Sequence, residues 1–538
     1  MGLLQYLPSP LRDLLASLPP TTASWIILTL GIIATIALLT SDNRPAAAPS
    51  SPQPAITPAP SSTASPSSPK SLSALPTLGD PPTFRTSCLS LLRSALPETW
   101  YRMPTPDGER ILLPHRYVDE LKNRPRSDLS FTKANSDILL GKFTGIDEVN
   151  EQSVEVVAKD LTRHIPGLLG EIQEEIGVAF GREFDEELAR EKGDGWKEVQ
   201  LHEKVLRIVS MVSSRIFVTK EVSRSEAWIK TSIQYTADVF AGGQGLKKWH
   251  PWLRPLMFRL LAPMRRLETM KATARRLLFP ILEAREKEKR AGGKKEEKEY
   301  KDTIYWMQQR SSHIPSFDFK EQAHVQLIIG LAAIHTTGMA TTHMLYDLAA
   351  RQEYVEPLRQ EVEKVLRLEG AKLTKQGLGK LRLMDSFMKE SQRLSPIALT
   401  FFTRKTSVPI TLHDGFHVPA GTHLTCNEQQ SSTNPRVWGE LDTFDGFRFA
   451  KRADEGVEES SKLAFHTTSV ESMAFGHGRH ACPGRYFAEA EIKAILCHLL
   501  MNYEIKFSDT VTERPRNIFF ETAIMPDPTQ KVLLRRRR

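Results

Sequence analysis

Apolar residues recur at intervals of three and four positions over most of the chain, and this spacing predicts helices. The pattern runs from Val199 to Phe217 and from Ala323 to Arg351, a long stretch with few charges. It recurs from Leu381 to Leu394 and from Arg485 to Asn502. The hydrophobic pattern therefore predicts a mainly α-helical fold.

Strand-like alternation of β-branched and polar residues is concentrated between Thr400 and Thr425. The dipeptide Asp414-Gly415 within this stretch is a favoured hairpin turn. We therefore expect small β-sheets beside the helices. The segment from Glu283 to Asp302 has 15 charged residues in 20, which predicts a solvated helix pair or a surface loop.

The N-terminal region is unlike the rest of the chain. Residues 23–41 are almost entirely apolar and uncharged. At about 1.5 Å per residue in a helix, they would extend about 28 Å, which is just enough to cross a bilayer. We predict a retained transmembrane anchor at 23–41, preceded by an N-terminal segment at 1–22. A cleaved signal peptide is the alternative, because Ala46-Ala47-Ala48 offers small residues for cleavage.

A linker is predicted after the anchor, at residues 42–82. Between Pro45 and Lys70, 21 of 26 residues are Pro, Ser or Ala, a composition that stays extended and buries no core. Residues 83–538 then form one large domain, because no second linker interrupts them.

Composition narrows the function classes. Apolar residues at 40% and charged residues at 25% are ordinary for a globular protein and exclude disorder for the bulk of the chain. Half of the net charge of +8 comes from the four arginines at 535–538, so nucleic acid is not a predicted partner. Four cysteines are too few and too widely spaced for a disulfide framework.

The strongest chemical signal is Phe475-Gly476-His477-Gly478-Arg479-His480-Ala481-Cys482-Pro483-Gly484, followed by a helical run. The glycines permit a tight turn whose backbone N–H groups point at a thiolate, and the helix N-terminus adds positive potential. Such a setting suits a metal-ligand cysteine, although a lone cysteine is usually a buried small hydrophobe. A zinc site of His477, His480 and Cys482 is an alternative that lacks a second half with ligand spacing.

The positions of Phe475, Gly478, Cys482 and Gly484, with a basic residue at His480, resemble the cysteine loop of cytochromes P450. The likeness covers roughly residues 85 to 525. It implies a cytochrome P450 fold, mainly α with small β-sheets, preceded by the one N-terminal transmembrane helix. It also implies haem b (iron protoporphyrin IX), with Cys482 as the axial iron ligand, Phe475 packed over it, Gly478 in the turn and His480 beside a propionate.

A charged pair fits the same resemblance. Glu390 and Arg393 lie three apart on one predicted helix and share a face. The same spacing recurs elsewhere, at Glu356 for example, but only the pair at Glu390 precedes the hairpin as the family's K helix does. Arg448 matches the family's third charge, although Gly446 replaces a proline. The resemblance assigns Glu390, Arg393 and Arg448 to structure.

The segment Ala332-Ala333-Ile334-His335-Thr336-Thr337 lies midway along the uncharged helical stretch and resembles the family's oxygen-activation motif. Thr336 then corresponds to the threonine that steers protons, and His335 takes the place of the usual acid, where an imidazole can relay protons. Alternatively, the threonines bond back to preceding carbonyls. A membrane span at 322–346 is a poorer prediction than a buried helix, because three histidines lie in it.

Two further haem contacts are implied by position in the family. Trp196, predicted to open a helix, resembles the C-helix tryptophan near a propionate, although Gln200 replaces the expected arginine. Arg404, next to the hairpin, is a predicted second propionate partner.

The resemblance implies a haem-thiolate monooxygenase that inserts an oxygen atom from O2 into an unactivated C–H bond of a hydrophobic small molecule. No flavin or nicotinamide motif is present, so electrons would come from NADPH-cytochrome P450 reductase. The anchor implies a single-pass membrane protein of the endoplasmic reticulum with its catalytic domain facing the cytosol.

The histidine-containing forms of the two motifs are similar to those of filamentous-fungal P450s of secondary metabolism, including ent-kaurene-oxidase-like and indole-diterpene enzymes. A terpenoid or a related fungal secondary metabolite is therefore the predicted substrate. The alternative is a haem-thiolate isomerase or dehydratase, or a non-catalytic haem-binding protein.

Overall fold

The computed structural model describes residues 71–148, 151–189, 195–290, 300–311, 319–432, 434, 438, 443–457, 459, 462 and 464–537. The predicted N-terminal segment, the anchor at 23–41 and the linker up to residue 70 lie outside the described residues.

Packing begins earlier than the predicted domain start at residue 83. A 3₁₀ turn spans Leu72–Ala74, and the side chains of Leu75 and Leu78 are buried. The N–H of Leu78 donates to the carbonyl of Arg102 at 2.8 Å. The last residues of the predicted linker therefore belong to the folded unit, because their leucines, spaced by three, reach its core.

Most described residues are helical. The helices of eight or more residues are α1 Pro81–Ser94, α2 Phe131–Leu139, α3 Thr162–Phe180, α4 Leu201–Phe217, α5 Glu226–Lys247, α6 Ala262–Arg290, α7 Thr303–Ser311, α8 Phe319–Ala350, α9 Val355–Leu368, α10 Arg382–Leu394 and α11 Arg485–Asn502. Shorter α-helices are Val118–Leu121, Gly141–Thr144, Glu151–Glu155, Glu186–Leu188, Lys220–Ser223, Arg254–Leu260, Lys375–Lys380, Glu428–Ser432 and Arg448–Asp454. Two π-helical segments, Val156–Leu161 and Gly181–Asp185, flank α3.

The strands are short and form small sheets. They are β1 Tyr101–Thr105, β2 Gly108–Leu112, β3 Leu129–Ser130, β4 Lys197–Gln200, β5 Thr400–Thr406, β6 Ile410–Thr411, β7 His417–Val418, β8 His423–Asn427, β9 Tyr503–Lys506, β10 Ile518–Phe520, β11 Ala523–Met525 and β12 Lys531–Arg536. A five-stranded sheet has the order β1-β2-β8-β5-β3, and a three-stranded sheet has the order β4-β12-β9. Strands β6 and β7 form the predicted hairpin around Asp414-Gly415, and β10 pairs with β11.

Helix α8 lies at the centre of the helical layer, where α4, α5 and α6 pack against it. Gly338 permits the close approach of α4, because a Cβ at this position would lie 2.6 Å from Cδ2 of Leu206. Within the described chain, Glu321–Ala350 alone has the length and apolar composition of a membrane span, but 61% of its most apolar window is buried. Helix α8 is therefore the buried core helix that the sequence predicts.

The charged segment from Glu283 to Asp302 is not wholly solvated, in contrast to its prediction. Helix α6 continues through its first part to Arg290. Arg285 and Asp302 form a buried bidentate ion pair at 2.7 and 2.6 Å. Charge density along the sequence does not reveal this pair, because the described charged neighbours Glu283, Lys287 and Glu288 are exposed.

Candidate functional site

The loop before α11 is a tight turn with left-handed backbone at two glycines. Gly476 has φ 68° and Gly478 has φ 74°, conformations that glycine adopts without steric cost. The N–H of Cys482 donates to the carbonyl of Phe475 at 2.7 Å and closes the loop. The cysteine is thereby held just before the first turn of α11.

Two opposing effects act on the sulfur of Cys482. Burial raises the pKa of the Cys482 thiol, and hydrogen bonds from the backbone N–H groups of Gly484 and Arg485, with the Arg485 charge, lower it by less. The donors are those expected at the start of a helix. Coordination to a metal cation removes the thiol proton outright, so the loop is suited to a cysteine that becomes a thiolate when it binds a metal.

Replacing Gly478 with alanine is expected to destabilise the loop. A Cβ there would lie 2.4 Å from the carbonyl oxygen of Lys122, and the positive φ adds strain, for a total of about 2–4 kcal/mol. Thermal unfolding of the full-length protein measures the loss. Gly170→Ala is the matched control, because nothing lies within 4 Å of its added Cβ. Equal melting temperatures for both variants would contradict this account of Gly478.

The zinc alternative is wrong. The described part of the chain contains no group of three or more His, Cys, Asp or Glu residues that could hold a metal ion. His477 instead contacts Thr468 through Nδ1 at 3.0 Å, and Nε2 of His480 donates to the carbonyl of Leu129 at 2.9 Å. The two histidines fasten the loop to other parts of the fold.

The imidazole of His480 is neutral near pH 7. Burial and the nearby Arg404 charge lower the pKa of His480 to about 4. A charged His480 could pair with a propionate only if its surroundings changed so as to raise its pKa. The predicted role of His480 therefore stays a prediction. The ring of Phe475, predicted to pack over Cys482, lies edge-on to Phe465 with centroids 5.3 Å apart.

Arg404 is a buried cation, 2% exposed, on strand β5 where the register with β8 shifts between Phe401 and Arg404. Its guanidinium donates to the carbonyls of Thr403 at 2.8 Å and His477 at 3.5 Å. Burial lowers the pKa of Arg404 to about 10, so it remains charged. No carboxylate pairs with it among the residues that the structure describes, and an uncompensated buried charge fits an anionic group such as a propionate.

One face of α8 is accessible midway along the helix, although residues 322–330 and 341–349 are buried. We call this face the α8 stripe; it consists of Ala332, Ala333, Thr336, Met339 and Ala340. Their spacing of three and four puts them on one side of the helix. Small and apolar side chains there leave room for a flat group, and α8 also contacts α11.

The Thr336 hydroxyl donates back to the carbonyl of Ala332 at 2.7 Å, as the structural alternative for this residue predicts. The same oxygen keeps its acceptor capacity, so the bond does not exclude a role in proton transfer. His335 points to another helix: its Nε2 donates to the carbonyl of Ile233 on α5 at 2.9 Å. Burial lowers the pKa of His335.

The helix-opening position predicted for Trp196 is wrong. Trp196 precedes strand β4, which pairs with β12, and α4 begins only at Leu201. The charged groups of Arg535 and Lys506 lie 4.4 and 5.2 Å from its ring centroid. The sequence predicts a helix over residues 197–200, but their pairing with the C-terminal strand β12 determines their conformation.

The structure brings Glu390, Arg393 and Arg448 together. Arg393 donates to both Glu390 carboxylate oxygens at 2.8 Å, and Nε of Arg448 lies 3.2 and 3.3 Å from the same oxygens. Glu390 is fully buried. At Gly446, where a proline was expected, the N–H donates to the hydroxyl of Tyr354 at 3.1 Å, a bond that proline cannot make.

A second buried charge cluster was not predicted from the sequence. Nζ of Lys493 on α11 lies 2.8 Å from Asp385 on α10 and 2.7 Å from Glu489, and Lys493 is 1% exposed. The only sequence signal is the i,i+4 pair of Glu489 and Lys493, which usually marks a solvated helix face. The cluster ties the helix that follows the cysteine loop to the helix that carries Glu390.

Comparison with known proteins identifies the family. The cytochrome P450 family model matches residues 159–534. The cytochrome P450 monooxygenase braC of Annulohypoxylon truncatum is 40% identical over 81% of this chain and 85% of its own length. The cytochrome P450 monooxygenase olcJ of Penicillium canescens is 37% identical over 81% of each chain.

Among solved structures, retinoic acid bound cyanobacterial CYP120A1 matches with a TM-score of 0.63 and 16% identity, over 86% of this chain and 100% of that one. At this identity the likeness concerns the fold. The family model spans well over half of the chain, and the fungal relatives match over most of their length. The buried Arg404, the Cys482 loop and the accessible α8 stripe are suited to binding a haem. The chain therefore belongs to the cytochrome P450 family, as a haem-dependent fungal monooxygenase.

Proposed function

We propose that this monooxygenase inserts one oxygen atom from O2 into an unactivated C–H bond of a hydrophobic small molecule, a terpenoid or a related fungal secondary metabolite. The observation that carries the proposal is the combination of the Cys482 loop with the α8 stripe, because the helix that follows the loop, α11, contacts α8. The stripe has no charged side chain, which favours an apolar substrate.

Cys482 would hold the haem iron, and Arg404 would pair with a propionate, with His480 beside the second. A thiolate-ligated haem supplies the oxidising chemistry, because the ligand's electron donation favours O–O bond cleavage. Gly478 keeps the loop in its left-handed turn. The Arg404 guanidinium is buried and shielded from water, so its attraction to a carboxylate is strong.

Thr336→Ala is expected to lower the coupling of oxygen consumption to product formation by about tenfold or more, because a positioned proton-transfer group is worth at least that much. Product formed per NADPH consumed, in the presence of a reductase, measures the effect. Thr341→Ala is the matched control: Thr341 makes the same bond to the carbonyl four residues back, at 2.8 Å, but is fully buried. Equal coupling in the two variants would reject the role of Thr336.

Electrons would come from NADPH-cytochrome P450 reductase in the endoplasmic reticulum membrane. Residues 23–41 would anchor the chain by a single span, with the catalytic domain on the cytosolic side. An apolar substrate that partitions into the bilayer suits such an anchor.

Expression beside a reductase, with candidate terpenoids supplied, tests the proposed reaction. Product carrying one oxygen from labelled O2, formed only with NADPH and reductase, is the expected result. Product formed equally well without electrons would instead indicate a haem-thiolate isomerase or dehydratase. Haem binding without any product from apolar substrates would favour a non-catalytic haem protein.

A further inference from the structure

The histidine next to Thr336 connects two helices. Successive helical residues are rotated by about 100°, so His335 leaves the α8 stripe and reaches α5. There its Nε2 donates to the main-chain carbonyl of Ile233 at 2.9 Å. A neutral imidazole has one N–H, and in His335 that N–H is engaged by α5.

The first half of α5 is fixed by several buried side-chain bonds. The hydroxyl of Tyr235 lies 2.7 Å from Nε2 of His324, which also belongs to α8. Towards α4, the hydroxyls of Ser232 and Ser210 are 2.9 Å apart, and a second bond joins Trp228 to Ser214 at 2.8 Å. The bond from His335 and the bond between Tyr235 and His324 both fasten α5 directly to α8.

The second half of α5 has a different composition. It contains Gly242, Gly243 and Gly245, and glycine weakens a helix interior relative to alanine. Beyond the helix, the connection to α6 exposes the side chains of Trp252 and Leu256, which are 62% and 56% accessible. The second half is nevertheless held to other elements, because Asp238 forms a bidentate ion pair with Arg266 of α6 at 2.8 and 2.6 Å and Lys247 lies 2.5 Å from Asp107. The His335 bond, which ends at Ile233 in the first half, fastens α5 to α8 next to Thr336.

We propose that His335 is a positioning residue that fastens α5 to α8 beside Thr336, and that it does not relay protons in the reaction. Loss of this bond lets α5 separate from α8 more often and opens the space next to the α8 stripe. The inference rests on the proposed function in one respect, namely that haem and substrate lie at the stripe. The lowered pKa of His335 agrees with a side chain that acts as a neutral hydrogen-bond donor.

Two substitutions at the same position separate fastening from proton relay. His335→Gln retains an N–H donor on a side chain of similar reach but has no titratable group. His335→Leu has neither. Tyr235→Phe is an independent variant that removes the bond between Tyr235 and His324 without changing a residue adjacent to Thr336.

Two measurements on full-length holoprotein follow the fastening without any turnover. Hydrogen–deuterium exchange reports the opening of residues 226–247, and stopped-flow binding of imidazole to the ferric haem reports access to the site. For His335→Leu we expect exchange in this helix and imidazole entry to be about fivefold faster, the effect of one lost hydrogen bond. His335→Gln should behave like the parent, and Tyr235→Phe should resemble His335→Leu.

The opposite pattern would overturn the inference. If His335→Leu left helix exchange and imidazole entry unchanged, the bond would not hold α5. If His335→Gln and His335→Leu lost coupling equally while α5 exchange stayed at the parent rate, His335 would be the proton relay. The carbon monoxide spectrum of each sample reports haem and thiolate ligation separately, so failure of the inference and failure of the proposed function give different results.

Discussion

Cys482→Ser is expected to abolish monooxygenase activity and to remove the red-shifted carbon monoxide band that thiolate ligation gives to the reduced protein. Serine is nearly isosteric and preserves the loop hydrogen bond from the residue's N–H to Phe475. It supplies no thiolate, so the electron donation that favours O–O cleavage is lost. Activity should fall by several orders of magnitude while the helices remain folded.

The matched control is Cys497→Ser, at a buried cysteine in the middle of α11. Burial raises the pKa of Cys497 to about 12, so this thiol stays protonated and is unsuited to ligation. The control should retain both the carbon monoxide band and the activity. A thiolate band that survives Cys482→Ser, or disappears in Cys497→Ser, would contradict the assignment of the ligand.

Glu390→Gln is expected to destabilise the folded protein by about 3–5 kcal/mol, the cost of leaving buried charges without their partner. Two arginines depend on this carboxylate: Arg393 binds it bidentately, and Arg448 reaches it from the segment before the cysteine loop. Since a typical domain is stable by about 5–15 kcal/mol, most of the protein should fail to retain haem at physiological temperature. Thermal unfolding and haem content measure the effect.

Glu356→Gln provides the comparison, because the chain repeats the same spacing there. Glu356 lies 3.0 Å from Arg359, but its side chain is 60% exposed, and exposed pairs contribute little. The melting temperature should stay close to that of the parent. If both variants melted alike, burial would not be what distinguishes Glu390.

Several parts of the fold and the site could be predicted because the information is local. The cysteine loop needs glycine at positions of positive φ, and Gly476 and Gly478 have it. Helix α11 has the predicted bounds, Arg485–Asn502. The hairpin at Asp414-Gly415 follows from the turn preference of two residues, and the Glu390–Arg393 pair follows from helical spacing.

Other features depend on contacts between distant parts of the chain. Trp196 precedes a strand because residues 197–200 pair with β12, more than three hundred residues later. Leu75 and Leu78 fall within the predicted linker, but their side chains are buried because distant parts of the chain provide an apolar surface for them. Lys493 looks like a solvated residue until Asp385 is brought within 2.8 Å.

The sequence by itself determined the helical class, the glycine-containing loop around Cys482, the charged residues of the Glu390 network and the position of Thr336 on a buried helix. Each of these depends on residue type and spacing within one element, or on a motif with a characteristic order. The tertiary structure alone decided that Arg404 is a buried cation without a carboxylate partner among the described residues, and that His335 is directed to Ile233. Burial and side-chain direction depend on which elements pack together, and local spacing does not contain that information.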